Sequence, residues 1–504
     1  METNSLLSAG SDGFYHPRSE GEVRGLILRA RREGKKLRVR GAGHSTIAAI
    51  YTDGFTTDDG PGQGIDVMLD QMATVTFDDA KMQVTAQAGC HLGLDPSDPT
   101  GVSTLENSLF YQLERRRWAF PDTGGITHQT VAGFLSTGSS GGSLSHSVGD
   151  QIVSIRFIDG LGEVHEVSEA QDADLFYAAG VSMGLLGVIC AVKFQCVPRF
   201  DVIGQESTRE VADSGIDFFG QGSPGKLALA QFLREKEHAR LMWWPQQGVQ
   251  RMVVWQGRTM LAADYTSETG PQGHLRAKPY AEFPLILGKP NAAEWVASEF
   301  YDLIRYWNAP DPRGKVTRAA LELMLPPFIK LFVSDDGDKG PQRFWDAWLD
   351  VLPMDNVASD KLLPTRFTEM WFPLEKTVDV MTRLRDHFNR VGLPATGPYA
   401  CEIYATKRSR FWMSPAFDRD VVKIDHFWFT HSFGDPSENY YPQFWELLKD
   451  LDYRLHWGKY LPKDSAEFLP SRYPHWRDFM EWRRRLDPLD IFLTAYWRTH
   501  LVQA

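Results

Sequence analysis

The stretch that decides the fold is a short loop with two glycines, Val39-Arg40-Gly41-Ala42-Gly43-His44-Ser45. Gly41 and Gly43 let the backbone come close to a bound anion, and consecutive backbone N–H groups in such a turn form a concave anion site. His44 then places one imidazole beside whatever binds there. A turn of this kind is common by itself, so the neighbouring sequence has to supply the context.

The residues before this loop predict a helix followed by a strand. Ser19 is suited to cap a helix over residues 20–33 whose first turn is acidic, and Gly34 is suited to end it. Apolar side chains recur at helical spacing within this helix. Residues 36–40 alternate between basic and apolar side chains, which is typical of a strand leading into the loop.

A second informative stretch is rich in small and hydroxyl-bearing residues. It runs Pro121-Asp122-Thr123-Gly124-Gly125-Ile126-Thr127-His128-Gln129-Thr130-Val131-Ala132-Gly133-Phe134-Leu135-Ser136-Thr137-Gly138-Ser139-Ser140-Gly141-Gly142. A flexible linker is the alternative interpretation. Ile126, Val131, Phe134 and Leu135 argue against a linker, because apolar side chains gain nothing in an unpacked tether.

The sequence pattern of residues 150–192 predicts several strands. Residues 150–160 end in an Asp-Gly turn and residues 163–167 return from it, which indicates a hairpin, and residues 188–192 form a further strand. Residues 180–184 match the Gly-x-Ser-x-Gly pattern of a hydrolase nucleophile. That motif needs a strand before it and a helix after it, whereas here a helical segment precedes and a strand follows. A hydrolase is therefore disfavoured.

Two polar motifs lie near the end of the chain: Cys401-Glu402-Ile403-Tyr404 and His456-Trp457-Gly458-Lys459. Each has an ordinary structural interpretation. His456 is suited to be a hydrogen-bonded core histidine, Lys459 a surface charge, and Glu402 one half of an ion pair.

Together, and in this order, the four segments resemble the vanillyl-alcohol oxidase superfamily, and His-Trp-Gly-Lys is similar to the signature of its sugar-lactone and alditol oxidases. The resemblance implies an α+β fold with a two-part FAD-binding domain and an α+β substrate (cap) domain. It also implies FAD bonded covalently to His44. The implied cofactor-binding residues are Arg40, Gly41, Ala42, Gly43, His44, Ser45, Asp122, Thr123, Gly125, Thr130, Val131, Gly133, Thr137, Gly138, Ser139, Gly141, Val188 and Ile189.

The resemblance implies catalytic roles for Lys459, Glu402, Tyr404 and His456. Lys459 would stabilise developing negative charge or act as a base, and Glu402 would bind substrate hydroxyls or hold Lys459. Many relatives carry arginine where this chain has Tyr404. An arginine fork binds two oxygens, whereas tyrosine offers one hydroxyl on an apolar ring, so the change predicts a bulkier and less polar substrate.

Composition limits the partners of the protein. The 504 residues carry a formal charge of −11 without a basic stripe, which argues against nucleic-acid binding. The four cysteines have neither metal-ligand spacing nor disulfide density, so we expect a reducing compartment and no metal site. No targeting segment or membrane span is evident, and a cytoplasmic location is expected.

The expected organisation is an FAD-binding domain over residues 1–200, a cap over 201–440, and a segment over 441–504 that returns to the flavin. The expected reaction is oxidation of a CH–OH group of a small alcohol or lactone, with oxygen as acceptor. The alternatives are a bulkier apolar alcohol such as a sterol or a secondary-metabolite intermediate, or a dehydrogenase with another acceptor. Aromatic runs in the middle third, such as Met242-Trp243-Trp244-Pro245, suit an apolar wall of the cap.

Overall fold

The structure is a computed structural model, which describes residues 7–55, 62–261, 263–265, 290–353, 356 and 364–502. It begins with helix α1, Glu20–Glu33, and strand β1, Leu37–Arg40. The Ser19 hydroxyl caps the helix by accepting a hydrogen bond from the first turn, and Gly34 ends it with a φ of 65°. β1 pairs in parallel with β2, Ile65–Met68. The predicted helix, strand and loop are therefore confirmed.

An antiparallel five-stranded sheet has the strand order β3-β4-β8-β6-β7. Its strands are Val75–Asp78 (β3), Gln83–Gln87 (β4), Ile152–Ile158 (β6), Val164–Val167 (β7) and Val188–Gln195 (β8). β6 and β7 form the predicted hairpin, and β8 is the predicted strand that follows it. The short strands β5, Trp118–Ala119, and β9, Val197–Pro198, pair with each other.

A larger antiparallel sheet has the order β15-β10-β14-β13-β17-β18-β16-β19. Its strands are Asp201–Glu210 (β10), His238–Trp244 (β13), Arg251–Thr259 (β14), Gln342–Ala347 (β15), Thr365–Pro373 (β16), Cys401–Thr406 (β17), Val421–Phe429 (β18) and Arg454–Leu455 (β19). Ile216–Asp217 (β11) and Leu227–Ala228 (β12) pair separately. Strands far apart in sequence are therefore neighbours in the large sheet.

Helices connect and cover the two sheets. After α1 they are Ile47–Ile50, Leu109–Arg115, α4 (Val131–Thr137), Ala173–Ala179, Leu229–Glu235, Pro290–Leu303, Pro312–Phe332, Trp348–Val351, Thr377–Val391, Leu393–Thr396, Pro436–Asn439, Pro442–Leu447, Ser465–Arg472, Trp476–Leu486 and Ala495–Leu501. None of the helices in the described ranges is long and apolar enough to cross a membrane.

The C-terminal segment returns to the first unit of the fold. The backbone N–H of Leu37 in β1 donates to the carbonyl of Ile491 at 2.9 Å. The indole N–H of Trp497 donates to the carbonyl of Ala49 at 2.9 Å. These bonds hold the end of the chain beside the loop that carries His44.

Candidate active site

The first glycine loop follows β1 and lies against the second glycine-rich stretch. Gly43 has a φ of 90°, a left-handed conformation that favours glycine. A Cβ atom on Gly41 would lie 2.5 Å from Oγ1 of Thr130, so the close approach of the two stretches requires glycine. Two segments predicted independently from the sequence are thus in contact.

The second stretch is packed, and the linker interpretation of it is wrong. Thr130 begins α4 by accepting a hydrogen bond from the backbone N–H of Gly133, and Gly138 ends the helix with a φ of 75°. Phe134 and Leu135 are buried, as expected for a helix that packs on the core.

Asp122 lies buried behind this stretch. A Cβ atom on Gly141 would lie 2.4 Å from Oδ1 of Asp122, so the carboxyl touches the loop backbone. Burial raises the pKa of Asp122 to about 7, although hydrogen bonds from the backbone of Thr123 and Gly141 act in the opposite direction. The carboxyl therefore supports the loop from behind.

The His-Trp-Gly-Lys motif lies against the first glycine loop. The Lys459 ammonium donates to the carbonyl oxygen of His44 at 2.9 Å, and the backbone N–H of Thr46 donates to the carbonyl of Gly458 at 2.8 Å. Lys459 also lies 4.0 Å from the ring centre of Phe367. The lysine therefore joins the loop that carries His44 to the C-terminal motif.

His456 is a buried, neutral imidazole. Burial lowers the pKa of His456 to about 4. Its Nδ1 accepts a hydrogen bond from the backbone N–H of Gly458 at 3.1 Å, which assigns the ring proton to Nε2. Nε2 lies 3.5 Å from Oγ of Ser139. His456 therefore presents an N–H donor toward the second glycine-rich stretch.

A cavity of about 1830 Å³ separates these loops from one face of the large sheet. It is larger than the roughly 300–1,000 Å³ of an ordinary small-molecule site, so it has room for a dinucleotide together with a substrate. The predicted site residues that line it are Arg40, Gly41, Ala42, Gly43, His44, Ser45, Gly125, Thr130, Gly133, Thr137, Ser139, Val188, Ile189, Glu402, Tyr404, His456 and Lys459. The other five, Asp122, Thr123, Val131, Gly138 and Gly141, lie outside the lining.

Glu402 and Tyr404 are both buried on β17 and face this cavity. The Tyr404 hydroxyl donates to Oε1 of Glu402 at 2.6 Å. The strand register places Arg240 of β13 opposite Tyr404 on one side and Lys423 of β18 opposite it on the other. Asp425 is the β18 residue opposite Glu402.

The guanidinium of Arg240 enters the site from a strand for which the sequence analysis assigned no site residue. It lies 3.8 Å from Glu402 and 3.5 Å from Glu206 of β10. The loss of arginine at position 404 therefore does not remove the guanidinium from this part of the cavity. Tyr404 therefore does not by itself make this wall of the cavity less polar.

A second pair of charged residues, Lys423 and Glu369, lies beside Arg240 and Glu402. Lys423 is buried 3.4 Å from Glu369 of β16. Burial opposes ionisation of Glu369, but the attraction of Lys423 lowers its pKa below the usual value. Burial, together with repulsion from Glu369, raises the pKa of Asp425 well above its usual value. The surroundings therefore favour the protonated form of Asp425 and the ionised form of Glu369.

Sequence reasoning missed Arg240, Lys423, Asp425 and Glu369. One local signal was present, because Lys423 and Asp425 stand two residues apart in a mainly apolar strand and so share a face. A buried charge inside an apolar strand usually has a charged or hydrogen-bonding partner, because burying it alone is costly. Arg240 and Glu369 also stand in mainly apolar strands, but nothing in those strands shows which residues they meet across the sheet.

Family models match two parts of the chain. A model described as FAD binding domain matches residues 11–94, and one described as D-arabinono-1,4-lactone oxidase matches residues 354–500. The chain therefore carries an FAD-binding domain and a region similar to D-arabinono-1,4-lactone oxidases. It is an FAD-dependent oxidoreductase that acts on CH–OH groups. The residues of the two glycine-rich stretches fit the cofactor, because Gly41 and Thr130 bring the stretches close together and both stretches line the cavity.

Relatives match over almost the whole length of the chain. The L-gulonolactone oxidase of Mus musculus is 24% identical and is covered over 93% of its length by 96% of this chain. The L-gulono-1,4-lactone dehydrogenase of Mycobacterium tuberculosis is 26% identical, with 96% of this chain and 95% of that protein covered. Among solved structures, a cholesterol oxidase from B. sterolicum superposes with a TM-score of 0.70 at 13% identity, over 97% and 94% of the two chains. The α+β flavoenzyme fold expected from the sequence is thereby confirmed.

Proposed function

We propose that this protein oxidises a ring or side-chain hydroxyl of a sugar lactone. The observation that carries the proposal is the buried charged face of the large sheet, which turns Glu402, Asp425, Lys423 and Arg240 toward the cavity. A site built from buried polar groups favours a substrate that pairs with them, since unpaired groups are costly. The names of the mouse and mycobacterial relatives, an L-gulonolactone oxidase and an L-gulono-1,4-lactone dehydrogenase, support the same substrate class.

FAD supplies the two-electron acceptor for the reaction. Glu402 accepts the hydrogen bond, and then the proton, of the substrate hydroxyl, while Tyr404 holds this carboxylate from the other side at 2.6 Å. Arg240 and the protonated Asp425 orient the remaining substrate oxygens. Lys459 fixes the His44 loop and stabilises the negative charge that develops nearby.

We further propose that FAD is attached covalently through His44. The residue ends the glycine loop, lines the cavity, and has its carbonyl held by Lys459. One attachment is expected, because residues 134–150 contain no cysteine for a second bond. In this assignment residues 1–200 and 441–504 bind FAD, and residues 201–440 bind the substrate.

A second candidate is a less polar alcohol, such as a sterol or an aryl alcohol. Aromatic rings support it, because Phe367, Tyr399, Phe427 and Phe328 line part of the same cavity. Such rings favour a substrate with an apolar extension. Oxygen is the proposed electron acceptor in either case, with another acceptor as the alternative.

An anaerobic substrate screen tests the proposal. L-Gulono-1,4-lactone, D-arabinono-1,4-lactone, xylitol, an aryl alcohol and a sterol are mixed with the oxidised holoenzyme, and the bleaching of the visible flavin absorption is recorded. We expect the lactones to bleach it fastest. Faster bleaching by the aryl alcohol or the sterol would establish the second candidate, and no bleaching by any CH–OH donor would contradict both. Admitting air afterwards should restore the absorption if oxygen is the acceptor.

A further inference from the structure

A group of metal-ligand side chains lies outside the substrate wall, where the loop that follows the second glycine-rich stretch meets the start of β13. Its members are His146, Glu237 and His238, and one ligand atom from each falls within 4.8 Å of the others. Nε2 of His146 lies 2.9 Å from Oε1 of Glu237, and Nε2 of His238 lies 3.9 Å from the same oxygen.

His238 points a ring nitrogen into this group without a hydrogen-bond partner. Its side chain is 1% exposed, and among the described residues nothing accepts from or donates to its Nε2. Nδ1, on the other side of the ring, faces Oδ1 of Asp122 at 3.8 Å. A neutral imidazole carries one ring proton, and when that proton is on Nδ1 the Nε2 lone pair and the Glu237 carboxylate are two electron-pair donors that face each other.

A cation between the two atoms would give Nε2 of His238 the partner it lacks, although Oε1 of Glu237 already accepts from Oγ1 of Thr259 at 2.8 Å. Ligand atoms of a tetrahedral zinc site lie about 3.3 Å apart when the metal–ligand bonds are about 2.0–2.1 Å. The observed separations of 2.9 Å and 3.9 Å lie on either side of that value. His146 and Glu237 are partly exposed, at 34% and 24% of their side chains, so an ion has a route in from solvent.

The protonation states agree with this geometry. Burial lowers the pKa of His238 to about 4, which keeps its imidazole neutral. Burial of Glu237 acts to raise its pKa, but hydrogen bonds from His146 and Thr259 outweigh it and bring the value to about 2. Metal ligands have to be deprotonated, and these two already are in neutral solution.

We propose that His146, Glu237 and His238 bind one divalent transition-metal ion, for which zinc fits best, with an open coordination position toward solvent. Two imidazoles and one carboxylate are a familiar ligand set for zinc. On binding, His146 moves its ring proton to Nδ1 and coordinates through Nε2. Asp122 is the outer carboxylate that orients His238.

The ion would join two parts of the active-site structure. The Ser143 hydroxyl already donates to the carbonyl of Glu237 at 2.6 Å, and the backbone N–H of Ala239 donates to the carbonyl of Gly142 at 2.8 Å. Arg240 follows His238 by two residues on the same face of β13. A bound ion would therefore hold the strand that presents Arg240 against the loop that continues from the FAD-binding stretch.

Zinc titration of the holoenzyme after treatment with a chelator tests the proposal. Calorimetry with zinc chloride should give one site per chain, and the ion should raise the melting temperature. His146→Gln and Glu237→Gln should each weaken zinc binding by at least about 100-fold, more than the roughly 10- to 100-fold typical of a change outside the ligand shell. Both residues are partly exposed, so flavin content and circular dichroism should stay unchanged and show that the variants fold.

His431→Gln is the matched control. His431 is an exposed histidine whose Nδ1 lies 3.0 Å from Asp302, and the described part of the chain offers no third ligand at that point. This variant should bind zinc as the unmodified protein does. Equal weakening in the control, equal affinity in all variants, or no stoichiometric binding would each overturn the proposal.

Discussion

The two walls of the cavity are built in different ways. One wall, called the FAD wall because we propose that it holds the cofactor, comes from two short continuous stretches, residues 39–46 and 121–142, whose glycines allow close approaches such as that of Gly41 to Oγ1 of Thr130. The opposite wall comes from single side chains on separate strands, such as Arg240 of β13, Glu402 of β17 and Asp425 of β18. A wall made of backbone needs glycines close together in sequence, whereas a wall made of side chains needs only one suitable residue per strand.

This difference also determines which property of the protein a substitution in each wall alters. Substitutions in the glycine loops alter the backbone itself, and close approaches such as that of Gly41 to Thr130 leave no room for a side chain. Substitutions on the sheet face exchange one side chain and keep the strand register. We therefore expect changes on the FAD wall to affect cofactor attachment and changes on the sheet wall to affect substrate choice and rate.

The largest expected effect is on the FAD wall. His44→Ala should abolish covalent attachment, so that trichloroacetic acid releases all flavin into the supernatant, whereas the unmodified protein should precipitate yellow. His128→Ala is the control, because its ring lies 5.8 Å from that of His44 and lines the same cavity. Yellow precipitate from His44→Ala, or release of flavin from the unmodified protein, would refute the linkage.

Lys459 lies where the two walls meet. Lys459→Met keeps most of the stem but removes the charge, and we expect the anaerobic flavin-reduction rate to fall by about 10²-fold, as when one charge-stabilising group is lost. Flavin should still be incorporated. Lys463→Met, an exposed lysine nearby, should reduce at the normal rate. An unchanged rate in Lys459→Met would exclude the catalytic role, and loss of flavin would mean that the bond to the His44 carbonyl is its main function.

Arg240 tests the polarity of the sheet wall. Arg240→Met should lower kcat/KM for L-gulono-1,4-lactone by about 10- to 100-fold, corresponding to one charged hydrogen bond, and should affect an aryl alcohol much less. Arg258→Met is the control, since Arg258 is exposed on the neighbouring strand β14 and pairs with Asp264. An equal loss for both substrates would indicate a structural role for Arg240 in place of substrate recognition.

The smallest effect is expected at Asp425. The raised pKa of Asp425 favours its protonated carboxyl, which the amide of Asp425→Asn mimics. We expect the reduction rate to change by no more than about threefold, whereas Glu402→Gln, directly opposite in register, should lower it by about 10²-fold through loss of the proton acceptor. Comparable losses in both variants would show that Asp425 is ionised and shares the catalytic role.

The structure confirms the predicted helix and hairpin whose capping and turn residues lie within their own sequence. The helix from Glu20 to Glu33 has its cap and its terminal glycine within its own sequence, and the hairpin of β6 and β7 has its Asp-Gly turn. Glu402 and Lys459 were found through short motifs, and both line the cavity. Arg240 was not found, because its role follows only from its register opposite Tyr404, in a strand more than a hundred residues earlier.

Tyr404 shows that the residues of one strand do not reveal the polarity of the whole sheet face. Its sequence motif lacks an arginine, and a less polar substrate followed from that absence alone. In the sheet, the neighbouring strand brings Arg240 next to the tyrosine and 3.8 Å from Glu402. The polarity of a sheet face is the sum over several strands, and a single strand does not reveal it.

The sequence by itself determined that this protein has glycine loops suited to FAD and a His-Trp-Gly-Lys motif, because both consist of residues that are neighbours in the chain. Only the tertiary structure decided that Lys459 bonds to the His44 carbonyl, that Arg240 and Lys423 flank Tyr404, and that His146 meets Glu237. Those contacts join residues far apart in the chain, and long-range packing selects them, so no local pattern encodes them.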